Sequence, residues 1–195
     1  MPPNPLADLA VFLSKPAWFT IAFWLLLAAS AALAWRAWCS DPAQRNARML
    51  GLWLLRLILG AMWWQQSLWK IPPNEAGLLY WMGQMAAHAA IPVQGWLVKT
   101  VVIPHIAIFG PLVYATEVAI GVSLMLGLCS RAGAALGAGM AINLWLGLYS
   151  APGEWPWTYG FLVLLQLLFL IDPPGRALGA DLWLRRGGGV LRCAT

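Results

Sequence analysis

Two ionisable residues lie inside long apolar stretches of this chain, and they are the first candidates for chemistry. Arg56 lies within Met49–Trp69, and Glu117 lies near the middle of His105–Leu128. A charged side chain at the centre of a bilayer costs roughly 2.5–3.5 kcal/mol on insertion scales, so such residues usually face the interior of a helix bundle and pair. We therefore predict an ion pair between Arg56 and Glu117.

Two roles are open for this pair. A buried Arg–Glu pair can fix the register of two helices without taking part in any reaction. Alternatively, the pair borders a pocket that handles a quinone head group or a proton, and Glu117 then titrates abnormally. His105, at the start of the same apolar stretch, is either an interfacial histidine or a ligand for the head group or the exiting proton. Glu117, Arg56 and His105 are thus the candidate catalytic residues.

A quinone needs an apolar cleft with one or two hydrogen-bond donors. The end of the apolar stretch that contains Arg56 supplies aromatic rings, an amide and an ammonium group within eight positions. The candidate quinone-binding residues are therefore Trp63, Trp64, Gln66 and Lys70.

The composition indicates a membrane protein. Hydrophobic residues make up 61% of the 195 positions and charged residues only 10%, against about 25% charged residues in soluble domains. The chain has 14 tryptophans, a residue that collects at membrane–water interfaces. The net charge of +5 comes from basic residues in short connections, a pattern that encodes membrane orientation, so nucleic-acid binding is not predicted.

Five apolar segments are predicted to cross a bilayer, since about 20 residues at 1.5 Å each cover its hydrocarbon core. They are Ala17–Trp38, Met49–Trp69, His105–Leu128, Ala132–Tyr149 and Trp157–Ile171. Residues 1–16 form a lead predicted to be poorly ordered or to lie on the membrane surface. Residues 71–104 are predicted to cap one side of a bundle that spans 49–172, and residues 173–195 form a basic tail.

The distribution of charge predicts the orientation of these spans. One side of the predicted bundle carries eight arginines, and the other carries Lys15, Lys70 and Lys99. Because basic residues accumulate on the cytoplasmic side, we expect the N-terminus outside and the C-terminus in the cytoplasm. The expected location is the inner membrane of a bacterium, with the lipid bilayer as the immediate partner.

The cysteines do not predict a cofactor site. They stand at 39, 129 and 193, and no two form a CxxC or a Cys/His spacing, so neither a metal nor a covalent cofactor is predicted. All three fall on the predicted cytoplasmic side, where structural disulfides are rare.

The pattern of glycines and charges resembles the DoxX/DoxD family of small membrane proteins. The family carries an Arg-x3-Gly stretch that ends in Lys, a Glu followed by a Gly-rich stretch with a Gly-x3-Arg exit, and a closing Gly-Arg-x-x-Gly-x-Asp signature. The matching positions are Arg56, Gly60, Lys70, Glu117, Gly121, Gly127, Arg131, Gly175, Arg176, Gly179 and Asp181. The resemblance covers residues 49–186 and implies a four-helix transmembrane bundle, to which Ala17–Trp38 adds an N-terminal span.

The resemblance also implies a function. DoxD is similar to the large subunit of a thiosulfate:quinone oxidoreductase, which passes electrons from thiosulfate to a membrane quinone. Quinone is then the substrate, and a second membrane or extracytoplasmic subunit is implied, because this chain has no haem-ligating histidine pair, flavin motif or cysteine cluster. The alternative is a non-catalytic accessory subunit of a larger respiratory or photosynthetic complex. A transporter or channel is disfavoured, since few polar groups lie within the predicted spans.

Overall fold

The computed structural model describes residues 4–72 and 75–187, and all regular structure in these residues is helical. Helices α1 to α5 are Pro5–Ser14, Trp18–Ser40, Ala47–Ser67, Ala76–His88 and Pro92–Leu97. Helices α6 to α9 are Ile106–Leu126, Ser130–Gly147, Pro156–Ile171 and Asp181–Gly187. The expected all-α architecture is confirmed for this part of the chain.

Within residues 4–72 and 75–187, three helical segments are long and apolar enough to cross a membrane: Trp18–Ser40, Ala47–Lys70 and Pro92–Leu126. Helix α8 is apolar but has only 16 residues. Helix α7 has 18 residues and is rich in glycine and alanine, which lowers its hydropathy. These apolar helices are compatible with a membrane protein.

Part of the N-terminal lead is helical. Residues 5–14 form α1, which packs against α2 through an edge-to-face contact of Phe12 with Phe23, at 5.3 Å between ring centroids. The indole of Trp24 donates a hydrogen bond to the carbonyl of Leu13 at 3.0 Å. The apolar residues of the lead thus have partners on α2, which a reading of the lead alone does not reveal.

Pro104 does not end a helix, although the third predicted span begins only after it, at His105. Helix α5 continues through a π turn, Val98–Val102, and a 3-10 turn, Ile103–His105, directly into α6. A proline has no N–H to donate, and local π and 3-10 adjustments can re-satisfy the backbone around it. The result is a nearly continuous helical segment of 35 residues.

Four helices form a row in which α3 packs on α6, α6 on α7 and α7 on α8. Glycines allow α3 and α6 to approach closely. A Cβ atom on Gly60 would lie 2.8 Å from the backbone nitrogen of Met125, and one on Gly121 would lie 3.1 Å from that of Trp64. Positions further along α3 meet earlier positions of α6, so these two helices are antiparallel. Helix α2 packs on the outside, mainly against α6.

The two ends of the row differ. At one end, hereafter the capped end, α4 buries Leu78, Met82 and Met85 against Val98 and Leu148. At the other end, hereafter the turn end, residues 127–129 join α6 to α7.

The described residues after α8, up to residue 187, pack against the rest of the protein. Pro174, Leu178 and Asp181 are buried at the turn end. The backbone N–H of Leu178 donates a hydrogen bond to Oε1 of Gln44 at 2.9 Å, which joins this segment to the connection between α2 and α3. The predicted basic tail therefore begins as a packed segment, and residues 188–195, including Cys193, lie outside the described part.

Candidate functional site

The predicted ion pair between Arg56 and Glu117 is wrong. Glu117 is buried, and its Oε1 accepts a hydrogen bond from Nζ of Lys70, which is also buried. The antiparallel packing of α3 on α6 explains the change of partner. Arg56 bonds the carbonyl of Leu124, which lies seven residues, or about 10 Å along the helix axis, from Glu117.

Lys70 has two favourable neighbours. Its ammonium nitrogen pairs with Glu117 and also lies 4.4 Å from the centroid of the Trp69 ring, within the range of a cation–π interaction. The second carboxylate oxygen of Glu117, Oε2, is buried and has no hydrogen-bond partner among the described residues. The pair therefore keeps one unused acceptor in a position shielded from water.

Arg56 stabilises the end of a helix rather than forming a reactive pair. Its Nη1 donates hydrogen bonds to the carbonyls of Leu124 at 2.5 Å and Met125 at 2.8 Å. These carbonyls belong to the last turn of α6, which ends at Gly127 in the left-handed conformation with φ +63°. A cation at a helix C-terminus is favoured by the helix dipole. Arg56 thus acts as a helix-capping side chain at the turn end.

Asp181 caps the next helix in the same place. Its carboxylate accepts hydrogen bonds from the backbone N–H groups of Cys129 at 2.6 Å and Ser130 at 2.9 Å, and from the Ser130 hydroxyl at 2.6 Å. Burial raises the pKa of Asp181, while these hydrogen bonds and the charge of Arg56 act in the opposite direction. The carboxylate therefore satisfies backbone donors at the start of α7 from more than 50 positions away in sequence.

A cavity of about 820 Å³ lies among α3, α4, α7 and α8, with the buried ion pair in its wall. Most of its wall is formed by leucine, methionine and aromatic side chains. The polar groups that line it include Gln66, Lys70, Glu117, Asn143, Glu154 and Tyr159. Such a space, mainly apolar with a few convergent polar groups, has the form of a small-molecule site.

The predicted site residues separate into two groups. Trp63, Gln66 and Lys70 line the cavity together with Glu117. Trp64 does not line it, since consecutive helical residues point about 100° apart, and its ring packs with Phe23 and Met125 towards α2.

His105 also lies outside the group of residues that line the cavity. It is exposed, and its Nδ1 lies 2.8 Å from the carbonyl oxygen of Val101, one turn earlier. This contact places the ring at the junction of the 3-10 turn with α6. Of the three candidate catalytic residues, the structure places only Glu117 at the cavity.

Sequence reasoning missed a second polar group in the cavity wall. The hydroxyl of Tyr159 donates a hydrogen bond to Oε2 of Glu154 at 2.7 Å. Both residues lie near the start of α8, where Glu154 reads as an ordinary turn residue. Asn143 of α7 accepts a hydrogen bond from the Gln94 side chain at 2.9 Å. Asn143 could be singled out from the sequence as a polar residue within a predicted span, whereas no local signal marks Glu154, which lies in a turn.

No metal site is evident in the described ranges, because no three His, Cys, Asp or Glu side chains come together there. Cys39 is exposed and Cys129 is half-buried, and both are free thiols at the turn end. Comparisons of the chain with protein-family models, with curated proteins and with solved structures give no match. The resemblance to the DoxX/DoxD family therefore stays a prediction.

Proposed function

We propose that this chain is the membrane subunit of a quinone-linked redox system and binds a quinone head group in the cavity beside Lys70 and Glu117. The observation that carries this proposal is a buried ammonium–carboxylate pair in the wall of a largely apolar cavity of about 820 Å³. The Lys70 ammonium and the amides of Gln66 and Asn143 can donate to the two quinone carbonyls. The aromatic and aliphatic wall suits the ring.

The membrane arrangement that accompanies this function has five spans: α2, α3, α6, α7 and α8. Helix α7 supports it because it packs between α6 and α8, so it shares their environment. The basic residues at the turn end support a cytoplasmic location for that end, and the N-terminus then lies outside. The membrane is the bacterial inner membrane.

Thiol labelling tests this orientation. A variant that keeps only Cys39 (with Cys129→Ser and Cys193→Ser) should react with a membrane-impermeant maleimide only after the cells are permeabilised. A second variant lacks the three native cysteines and carries Thr100→Cys, at an exposed position on the opposite side. It should react in intact cells. The reverse pattern would contradict the orientation.

The electron donor that the DoxD resemblance suggests is thiosulfate, delivered through a partner subunit. The positions of the two described thiols support the need for a partner subunit. Cys39 and Cys129 lie at the turn end, whereas the ion pair and Gln66 lie towards the capped end. Thiosulfate oxidation linked to this quinone therefore requires a second, extracytoplasmic protein.

Equilibrium binding of a short-chain ubiquinone to the full chain in lipid nanodiscs tests quinone recognition. Glu117→Gln should weaken binding at least tenfold, because it removes the charge that holds Lys70 in the wall. Gln66→Met, which keeps the shape of the side chain and leaves the ion pair intact, should weaken it several-fold. Asp172→Asn, an exposed carboxylate remote from the cavity, is the control. Unchanged affinity in folded Glu117→Gln and Gln66→Met would contradict the proposal.

The alternative, a non-catalytic subunit of a larger assembly, is favoured by one observation. Helix α2 packs on the outside of the row and exposes Trp18, Trp24 and Trp35 on its surface. Purification from native membranes in mild detergent, with mass spectrometry of proteins and lipids, separates the two functions. Stoichiometric quinone and one small partner support the redox subunit, whereas a large assembly without quinone on this chain supports the alternative.

A further inference from the structure

We propose that the cavity takes a lipid with one polar head group and a long apolar tail, which enters sideways from the bilayer between α3 and α8. This inference rests on the proposed function and adds the shape of the ligand and its direction of access.

The first argument is that the row of helices is open at the side of the cavity, between α3 and α8. In a closed four-helix bundle each helix packs against two neighbours. Here α3 and α8 are the two ends of the row formed with α6 and α7. Deeper in the bundle, Leu59 of α3 and Val163 and Phe169 of α8 share one apolar cluster. Leu59 also lines the cavity, which lies beside this cluster and between the two helices.

The second argument is that polarity changes along the cavity. The wall that α3 supplies runs from Leu55 to Lys70, 15 residues and so about 22 Å along the axis. Gln66 and Lys70 lie at the capped end of this wall, whereas Leu55 and Ile58 lie at the other. Such a gradient matches a ligand whose head group is polar and whose tail is apolar.

Helix α8 repeats the same gradient in the opposite chain direction. Tyr159, near the N-terminus of α8, packs against the apolar cluster that includes Leu78, Met82 and Met85 of α4. Phe161 and Leu165 follow towards the turn end, and both line the cavity. The two walls therefore agree on which end of the cavity is polar.

The third argument concerns the exposure of the side chains at the edge of the cavity. Ile58 is 67% exposed and Phe161 is 61% exposed, yet both line the cavity. In a bilayer these side chains face lipid tails. The capped end, in contrast, is covered by α4, whose Met82 and Met85 are buried above the cavity. The free approach is therefore through lipid, between Ile58 and Phe161, and the tail of a bound ligand leaves by the same gap.

Photo-crosslinking of the full chain in lipid nanodiscs tests this inference. Two ubiquinone probes carry a diazirine, one on the head group and one along the isoprenoid tail, and modified peptides are mapped by mass spectrometry. We expect the head-group probe to modify the region of Gln66, Lys70 and Glu117. The tail probe should modify Leu55, Ile58 or Phe161.

The two failures are distinguishable in this experiment. If the head-group probe labels the cavity and the tail probe labels α4 or the outer face of α6 instead, the lateral access is wrong and the proposed function stands. If neither probe labels the cavity, the proposed function itself fails.

A matched pair of variants gives an independent measurement. Ile58→Trp narrows the gap and should weaken binding of a long-tailed ubiquinone at least tenfold while changing binding of the tail-less head group less than twofold. Leu54→Trp, at an exposed α3 position that does not line the cavity, should change neither affinity. Equal affinity of Ile58→Trp and the unmodified protein for the long-tailed quinone would overturn the inference.

Discussion

Lys70, three residues beyond the end of α3, donates a hydrogen bond to Glu117 in the middle of α6, and both side chains are buried. This contact joins the capped end of α3 to the helix that it packs against. It also fixes the position of the only described carboxylate that pairs with a buried lysine. The pair is thus both a structural link between two helices and part of the cavity wall.

Breaking this pair should destabilise the protein strongly. Glu117→Gln or Lys70→Met leaves the other group buried without its counter-charge, which costs about 3–5 kcal/mol. Thermal unfolding in nanodiscs should show a large fall in Tm for each single variant. The double variant should lose less than the sum of the two.

The exposed ion pair between Arg48 and Asp172, at 2.9 Å, is the matched control. Water screens it, so Arg48→Gln and Asp172→Asn should each change stability by less than about 1 kcal/mol. Equal effects at the two pairs would show that Lys70 and Glu117 are not shielded from solvent.

Arg56 and Glu117 should behave independently. Arg56→Gln removes hydrogen bonds to the carbonyls of Leu124 and Met125 and should lower the Tm by itself. Because no contact joins the two side chains, the double variant with Glu117→Gln should lose the sum of both stabilities, within about 0.5 kcal/mol. A coupling free energy well above this value would show that Arg56 and Glu117 interact directly, as the sequence predicts.

The close approach of α3 and α6 should depend on Gly60. A Cβ atom there would lie 2.8 Å from the backbone nitrogen of Met125, so Gly60→Ala forces the helices apart and should destabilise the protein by about 1–3 kcal/mol. Gly51, on the same helix, has nothing within 4 Å of a built Cβ atom. Gly51→Ala should therefore leave the Tm unchanged or raise it. The two variants differ only in what their methyl groups meet.

Asp181→Asn should loosen the turn end. An amide supplies one acceptor oxygen in place of two, whereas Cys129 donates to Oδ1 and Ser130 donates to Oδ2. One buried donor then faces an NH₂ group, at a cost of about 1–3 kcal/mol. Hydrogen exchange should show faster exchange of the amides at 129 and 130. Asp172→Asn should leave those amides unchanged, and equal protection in both variants would contradict the capping role.

The positions of the helices follow from local sequence. The apolar stretches around Arg56 and Glu117 predict α3 and α6 to within a few residues at each end, because length and hydropathy are properties of each stretch alone. The glycines at 60 and 121 also indicate close helix packing in advance. These features require no knowledge of which helix lies beside which.

The pairing of charges does not follow from the sequence in this way. The sequence shows only that Arg56 and Glu117 both lie within predicted spans, whereas the contact at Gly60 and Gly121 sets a register in which they are separated along the helix axis. Lys70 reads as an interface anchor because it ends an apolar stretch. The partner of Lys70 depends on how α6 packs beside α3, and this packing is set by the tertiary structure.

The packing of the segment after α8 cannot be predicted from the sequence, for a related reason. Its prolines, glycines and arginines read as a polar tail, and nothing in the local sequence shows that Leu178 and Asp181 are buried. Their burial is set by donors elsewhere, in the turn after α6. Glu154 is similar, since a turn residue becomes part of the cavity wall only when α8 packs beside α7.

The cap that Asp181 places on α7 has a consequence for biogenesis. A ribosome completes α6, the turn at Cys129–Ser130 and the whole of α7 more than 30 codons before it reaches Asp181. During that interval the start of α7 has neither its carboxylate acceptor nor the packed segment that covers it. The hairpin of α6 and α7 is therefore synthesised before the residue that caps it. The turn end is completed only when the last segment emerges, which makes this packing a late event in the maturation of the protein.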